Sequence, residues 1–232
     1  MGTTFRVASI FRFRNMKLLK FLLIGLLLLL SVGYMVAIFE LSPKLLSFSP
    51  AIKFFGGGGL AFLIFWLLFK KRFMYAFAVF EHELTHILIA KVFFLKTLHF
   101  EVSPRKHVKG QVVVGVEGRG LFTQIISVFF SLAPYYLPTL MLLVFAVYLF
   151  VGARLHPLFL FLVGFTAMYH LLTTFLEFGF HQADIQRHGE YFSTALILLG
   201  NIIFFGIALV VVSYGFREVP VFILKGILNV FG

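Results

Sequence analysis

The chain has 232 residues, of which 61% are hydrophobic and 12% are charged, whereas an ordinary soluble domain is roughly 25% charged. This composition excludes a soluble globular protein, and the absence of cysteine excludes disulfides and thiolate metal sites. The net charge of +11 falls in short basic clusters between apolar runs, as in membrane proteins, so we expect a lipid bilayer and no nucleic acid as its surroundings.

Apolar runs long enough to cross a bilayer, which takes about 20 residues, recur along the chain. They predict an all-α, multi-pass integral membrane protein with about six transmembrane helices, the first of them retained rather than cleaved as a signal peptide. Pro134 and Pro138 are expected to divide the long fourth run into a short entering helix and a full span. The predicted spans are residues 21–39, 51–69, 73–94, a span from about 135, 158–176 and 192–212.

Four consecutive glycines, residues 56–59, interrupt the second predicted span. Glycines in a membrane helix allow a neighbouring backbone to approach closely, although an unwound segment is the alternative. We expect a packing notch.

Between the third and fourth spans, apolar and polar residues alternate with a period of two on both sides of a turn-rich stretch, 104–110. This pattern predicts a small β-hairpin, with a basic surface loop as the alternative. The alternating apolar residues are Leu98, Phe100 and Val102, then Val112, Val114 and Val116.

The third span carries a group of ionisable side chains near its middle, where each costs free energy unless it is paired or faces water. They are Glu81, His82, Glu83 and His86. The two histidines are four residues apart, so both imidazoles project from one helix face and can reach a single tetrahedral Zn²⁺. Glu83 lies about 100° round the helix, where it can reach a metal-bound water without binding the metal. The pattern favours a metal site over side chains that only hydrogen-bond within a bundle.

A catalytic zinc site needs a third protein ligand, and the nine acidic residues offer few candidates. Asp184, the only aspartate, and Glu177 are nearly equal candidates on chemical grounds. The rivals of Asp184 are Glu177, His181 and His188, and any of these three could instead support another ligand or be an interfacial polar residue.

Several of these features, in this order, resemble the site-2 protease family of intramembrane zinc metalloproteases and related membrane zincins. The motif His82-Glu83-Leu84-Thr85-His86 lies in a predicted transmembrane helix, and a hairpin-like segment containing Gly110 follows. The stretch 131–138 then opens another span, and Asp184 comes last, at a helix end. The similarity covers a metalloprotease-like transmembrane core, residues 73–212. An N-terminal two-helix membrane segment, 1–72, precedes it, and a C-terminal interfacial tail, 213–232, follows.

The resemblance implies that His82, His86 and Asp184 bind zinc, with Glu83 as the general base on zinc-bound water. The implied activity is hydrolysis of peptide bonds in a transmembrane protein substrate, with a hairpin strand receiving the unwound segment. The asparagine that steadies the substrate in that family has no clear counterpart. Asn201 and His170 are candidates for a substrate-positioning or oxyanion-binding role, and the alternative for both is interhelical hydrogen bonding.

Three other functions fit parts of the pattern. A non-catalytic membrane protein of the same fold could bind or regulate a membrane partner, although an intact Glu83 disfavours it. A metal-binding transporter is disfavoured because the ionisable residues cluster on one helix and the chain has no repeated halves. A haem protein with His82 or His170 as axial ligand is the weakest alternative.

Overall fold

The computed structural model describes residues 17–47, 49–69, 73–93, 96–101, 111–115, 121–151 and 155–231. Most of the described residues are helical. The helices are α1 (Lys17–Phe39), α2 (Ser42–Leu45), α3 (Pro50–Phe69), α4 (Phe73–Val92), α5 (Leu121–Tyr136), α6 (Thr139–Val151), α7 (His156–Glu177), α8 (Ala183–His188), α9 (Glu190–Tyr214) and α10 (Val219–Phe231). A short 3-10 helix, Phe216–Glu218, precedes α10, and the strands are β1 (Lys96–Glu101) and β2 (Gln111–Gly115).

Four of the described helices, α1, α3, α7 and α9, are long and apolar enough to cross a membrane. The pair α5 and α6, which is bent by 85°, adds a fifth crossing if it counts as one span. Helix α4 is not among them, because the ionisable side chains near its middle offset its apolar residues. Length and composition therefore support four or five spans within the described residues, where the sequence predicted about six.

Strands β1 and β2 pair antiparallel, with Lys96 opposite Gly115 and Glu101 opposite Gln111. The register shifts between Thr97 and His99, so one extra residue of β1 forms a bulge in the ladder. The predicted turn, 104–110, and the end residues Val102 and Val116 lie outside the described residues.

Helix α3 is continuous and packs along α7, and one of its four glycines makes the close contact. A Cβ on Gly58 would overlap the carbonyl of Phe161, and a Cβ on Gly164 of α7 would overlap the carbonyl of Phe55. Gly57 has open space around its Cα. The expected packing notch is therefore present without unwinding, and Gly58 is the glycine of the run that lies closest to the partner backbone.

This contact predicts a difference between two neighbouring glycines. Gly58→Ala should lower the melting temperature of the purified protein by several degrees, because an overpacked contact against backbone costs about 1–3 kcal/mol. Gly57→Ala is the matched control and should be neutral or slightly stabilising, since alanine favours a helix by up to about 1 kcal/mol over glycine. Thermal unfolding in one detergent measures both, and equal melting temperatures would contradict the packing argument.

The two long N-terminal helices pack on different partners, since α3 lies on α7 while α1 lies against α9 and α10. In α10, which forms most of the predicted tail, Phe222 and Gly226 are buried. The Tyr34 hydroxyl of α1 donates a hydrogen bond to the carbonyl of Ile223 (3.0 Å). One face of α10 is therefore covered by α1.

The predicted break at the two prolines is present, but it comes slightly later than expected. Pro134 lies inside α5, and the helix continues to Tyr136 before Leu137 and Pro138 separate it from α6. Tyr135 thus lies in the last turn of α5 instead of beginning the second helix. With 13 residues, α6 is about 20 Å long, so it cannot cross a bilayer of about 30 Å alone.

Candidate metal centre

Helix α4 places two imidazoles side by side in the interior. His82 and His86 are 2% and 0% exposed, and their ring centroids are 5.1 Å apart. The Nε2 atoms of both rings are buried without a hydrogen-bond partner among the described residues. Buried polar atoms nearly always have a partner, so two neighbouring exceptions on one helix face indicate a site that serves a ligand.

The tautomer of His86 follows from its partner on α5. His86 Nδ1 lies 2.9 Å from the carbonyl oxygen of Phe130, and because a carbonyl only accepts, Nδ1 must carry the proton. In a neutral imidazole, Nε2 then has the lone pair. Pro134 explains why this carbonyl can accept from a side chain. It lies four residues after Phe130 and has no N–H to donate, so it cannot make the helical hydrogen bond to that carbonyl.

His82 has a corresponding partner on α7. Its Nδ1–H donates to Glu177 Oε2 at 3.3 Å, near the end of that helix. The ring edge also packs against Tyr135, with centroids 5.3 Å apart and planes at 86°. An imidazole that donates one N–H to a carboxylate holds its other nitrogen in a fixed direction as an acceptor, which is the usual environment of a metal-binding histidine.

The short helix α8 brings the third group. Its Asp184 is 1% exposed, and the next residue, Ile185, is fully buried against α5 and α9. Ser193 Oγ of α9 donates to the Ile185 carbonyl at 3.1 Å, which ties α8 to the following helix. Gly189 joins the two helices with φ 98°, a left-handed conformation that side chains other than glycine rarely adopt. Packing on both sides therefore fixes where the aspartate lies.

One ligand atom from each of His82, His86 and Asp184 lies within 4.8 Å of the others, and all three residues are buried. Among the described residues, these three form the group of histidine and acidic side chains with the spacing for a shared metal ion. Two imidazole lone pairs and one carboxylate form a borderline-to-hard donor set, which suits Zn²⁺ and other divalent transition metals. The two histidines are separated from the aspartate by about one hundred residues of chain.

Two glutamates flank His82 and have different surroundings. Glu83 is 1% exposed, and its Oε2 has no hydrogen-bond partner among the described residues. Glu81, also buried, accepts a hydrogen bond from Thr85 Oγ1 (3.4 Å), and Thr85 in turn lies 2.6 Å from Thr139 Oγ1 on α6. Glu81 is therefore part of an interhelical polar contact, whereas Glu83 retains an oxygen that can accept a proton.

The other candidates for the third ligand lie elsewhere. Glu177 contacts the outer nitrogen of His82, His181 is exposed, and His188 is buried at the end of α8. Burial lowers the pKa of His188 to about 3, with smaller contributions from neighbouring cations, so this imidazole is neutral at pH 7. The His188 carbonyl accepts a hydrogen bond from Lys20 Nζ at 2.5 Å, which links the start of α1 to α8.

Asn201 and His170 are not in this group. The Asn201 side-chain amide donates to the carbonyls of Tyr135 and Ile197, both at 2.8 Å, so both of its hydrogens are used. The Tyr135 carbonyl lies at the break after α5, where a helical donor is missing, and Asn201 supplies one. His170 lines a small cavity with Asn201 and Pro138. Asn201 thus makes one hydrogen bond within α9 and one to α5, and a substrate-positioning role for Asn201 or His170 stays a prediction.

Tyr135 belongs to the site, although the sequence did not single it out as a functional residue. It is 1% exposed and packs against His82. Its hydroxyl has no hydrogen-bond partner among the described residues. The available signal was a pair of adjacent tyrosines between two prolines, which by itself does not distinguish a site residue from a packing residue.

Comparison with known proteins identifies no relative: no protein-family model, curated protein or solved structure matches this chain. The geometry of the site is therefore the basis on which a function can be proposed.

Proposed function

We propose that the chain is a membrane-embedded zinc metalloprotease similar to the site-2 protease family. The single observation that supports this most strongly is the convergence of His82, His86 and Asp184, with two buried imidazole nitrogens that lack a partner in the described structure. Such nitrogens cost free energy in an apolar interior unless they bind something. A divalent cation satisfies both, and the carboxylate offsets part of its charge.

The three candidate ligands suit zinc in residue type and number, and the two histidines are held by hydrogen bonds to neighbouring groups. A catalytic zinc site uses three protein ligands and keeps one position open, and two histidines with one carboxylate is an established ligand set. The Nδ1 atom of each histidine is hydrogen-bonded, that of His82 to Glu177 and that of His86 to the Phe130 carbonyl. Bound there, zinc would supply a Lewis acid that activates water and polarises a carbonyl oxygen.

Glu83 is the general base in this proposal. It follows His82 on the same helix, and its unpaired oxygen can take a proton from a water molecule that attacks a peptide carbonyl carbon. The water oxygen bonds to that carbon, and the carbonyl oxygen gains negative charge. Glu83 then gives the proton to the amide nitrogen as the carbon–nitrogen bond breaks. The products are a carboxylate and an amine.

The substrate class follows from where the site lies. The site is buried among helices, several of which are long and apolar enough to cross a membrane, so a segment already in the bilayer reaches it most directly. We propose a transmembrane protein substrate, which must unwind locally because helical amides are internally bonded. The two-stranded sheet of β1 and β2, which follows α4 in the chain, offers strand edges that an unwound segment could extend.

Metal removal tests this proposal. Purified protein reconstituted with a set of single-span membrane proteins should cleave at least one of them. Treatment with a zinc chelator should abolish cleavage, and added Zn²⁺ should restore it. A protein that binds zinc stoichiometrically yet cleaves nothing would instead support the non-catalytic or transport functions. A zinc-free protein with a visible haem spectrum would exclude the zinc site.

A further inference from the structure

The hydroxyl of Tyr135 is a buried polar group that the proposed mechanism leaves without a role. The side chain is 1% exposed, and its ring forms a T-shaped pair with that of His82, with centroids 5.3 Å apart. The hydroxyl makes no hydrogen bond to any described residue. A phenylalanine would fill the same space without leaving a buried hydroxyl unsatisfied, so packing alone does not explain the oxygen.

The surroundings of this hydroxyl are those of the candidate metal centre. The ring of Tyr135 packs against His82, and the carboxylates of Asp184, Glu177 and Glu83 act electrostatically on the hydroxyl. Asp184 is in the ligand group, Glu177 supports His82, and Glu83 is the proposed base. The Tyr135 ring contacts a member of the ligand group, and its hydroxyl is hydrogen-bonded to none of the three acids.

The backbone of Tyr135 is held from two neighbouring helices. Its carbonyl accepts hydrogen bonds from Asn201 Nδ2 of α9 (2.8 Å) and from Thr174 Oγ1 of α7 (3.4 Å). These bonds hold the end of α5 at the proline break, where its last carbonyls have no N–H donor within the helix. A side chain on a fixed backbone, wedged against His82, is a preorganised donor that need not move during a reaction.

We propose that Tyr135 is a catalytic residue whose hydroxyl donates a hydrogen bond to the oxyanion that forms on the substrate carbonyl. This inference rests on the proposed protease function. Negative charge develops on that oxygen as water adds to the carbonyl carbon, and a donor positioned in a water-poor site stabilises the transition state more than the ground state. In this proposal, Asn201 acts through Tyr135 as a positioning residue.

The test compares two neighbouring tyrosines of α5. Tyr135→Phe removes only the hydroxyl and keeps the ring against His82, while Tyr136→Phe removes a hydroxyl that donates to the Phe129 carbonyl (3.4 Å). We expect Tyr135→Phe to lower kcat by about 10²–10³-fold with little change in KM, and Tyr136→Phe to match the wild type. Zinc content is measured on all three proteins.

Binding of a transition-state mimic gives a readout independent of turnover. A phosphinic peptide carries a tetrahedral phosphorus with an oxygen at the oxyanion position, and Tyr135→Phe should bind it at least about tenfold more weakly than Tyr136→Phe does. Wild-type kcat and wild-type affinity in Tyr135→Phe would overturn the inference and leave the protease proposal intact. Loss of zinc in that variant would also overturn it, because Tyr135 would then support the ligands. A wild-type protein without chelator-sensitive cleavage would overturn both proposals.

Discussion

Glu83→Gln is expected to keep its zinc and lose cleavage of a membrane substrate, with kcat lower by about 10²–10⁴-fold. Glutamine has nearly the same shape as glutamate but cannot accept a proton from the attacking water. Because Glu83 is not in the ligand group of His82, His86 and Asp184, the metal site should survive the change. Single-turnover cleavage in proteoliposomes, beside metal analysis of the same preparation, measures both properties.

Glu81→Gln is the matched control for this variant. It makes the same chemical change two residues away on the same helix, where the carboxylate accepts from Thr85 and has no part in the proposed reaction. We expect it to retain cleavage. Turnover in Glu83→Gln equal to that in Glu81→Gln would show that Glu83 is not the base.

The second large effect concerns metal binding. His86→Ala and Asp184→Ala should each reduce zinc to well below one equivalent per chain, because each removes a ligand from a site that has three. Glu177→Gln should bind zinc with an affinity lower by about 10–100-fold but still fill the site when zinc is in excess, as expected for a residue that supports a ligand. Metal analysis after dialysis and competition with a chromogenic chelator distinguish these outcomes.

The same set of variants decides between the two acidic candidates that chemistry alone left nearly equal. If Asp184→Ala retained a full equivalent of zinc while Glu177→Gln lost it, Glu177 would be the third ligand. Full zinc in all three variants would place the metal elsewhere and remove the basis of the protease proposal.

Local rules account for the parts of the site that lie close together in the sequence. The four-residue spacing of His82 and His86 places both rings on one face of any α-helix, whatever packs against it. Pro134 and Pro138 predict a break in the fourth apolar run because proline has no N–H to donate. The exact end of α5 was not predictable, since one proline can be accommodated within a helix when a neighbouring group uses the freed carbonyl.

The number of membrane spans could be predicted only approximately from composition. The apolar run at residues 73–94 predicts a membrane span. The helix formed there, α4, also carries ionisable side chains, and it is not among the four or five spans that length and hydropathy support. The ionisable side chains that form the candidate site also lower the hydropathy of α4. Composition therefore identifies the helices that could face lipid, but it is less able to identify the helix that carries the site.

By itself, the sequence determined that this chain is apolar, helical and equipped with a histidine pair and an adjacent glutamate on one helix, because these properties depend on residues within a few turns of one another. Only the tertiary structure decided that Asp184 lies beside the pair while Glu177 contacts Nδ1 of His82, that Asn201 donates to the Tyr135 carbonyl, and that the Tyr135 ring packs against His82. Those relations join residues tens of positions to about 100 positions apart in the chain, and they depend on how the helices pack, which no local spacing specifies.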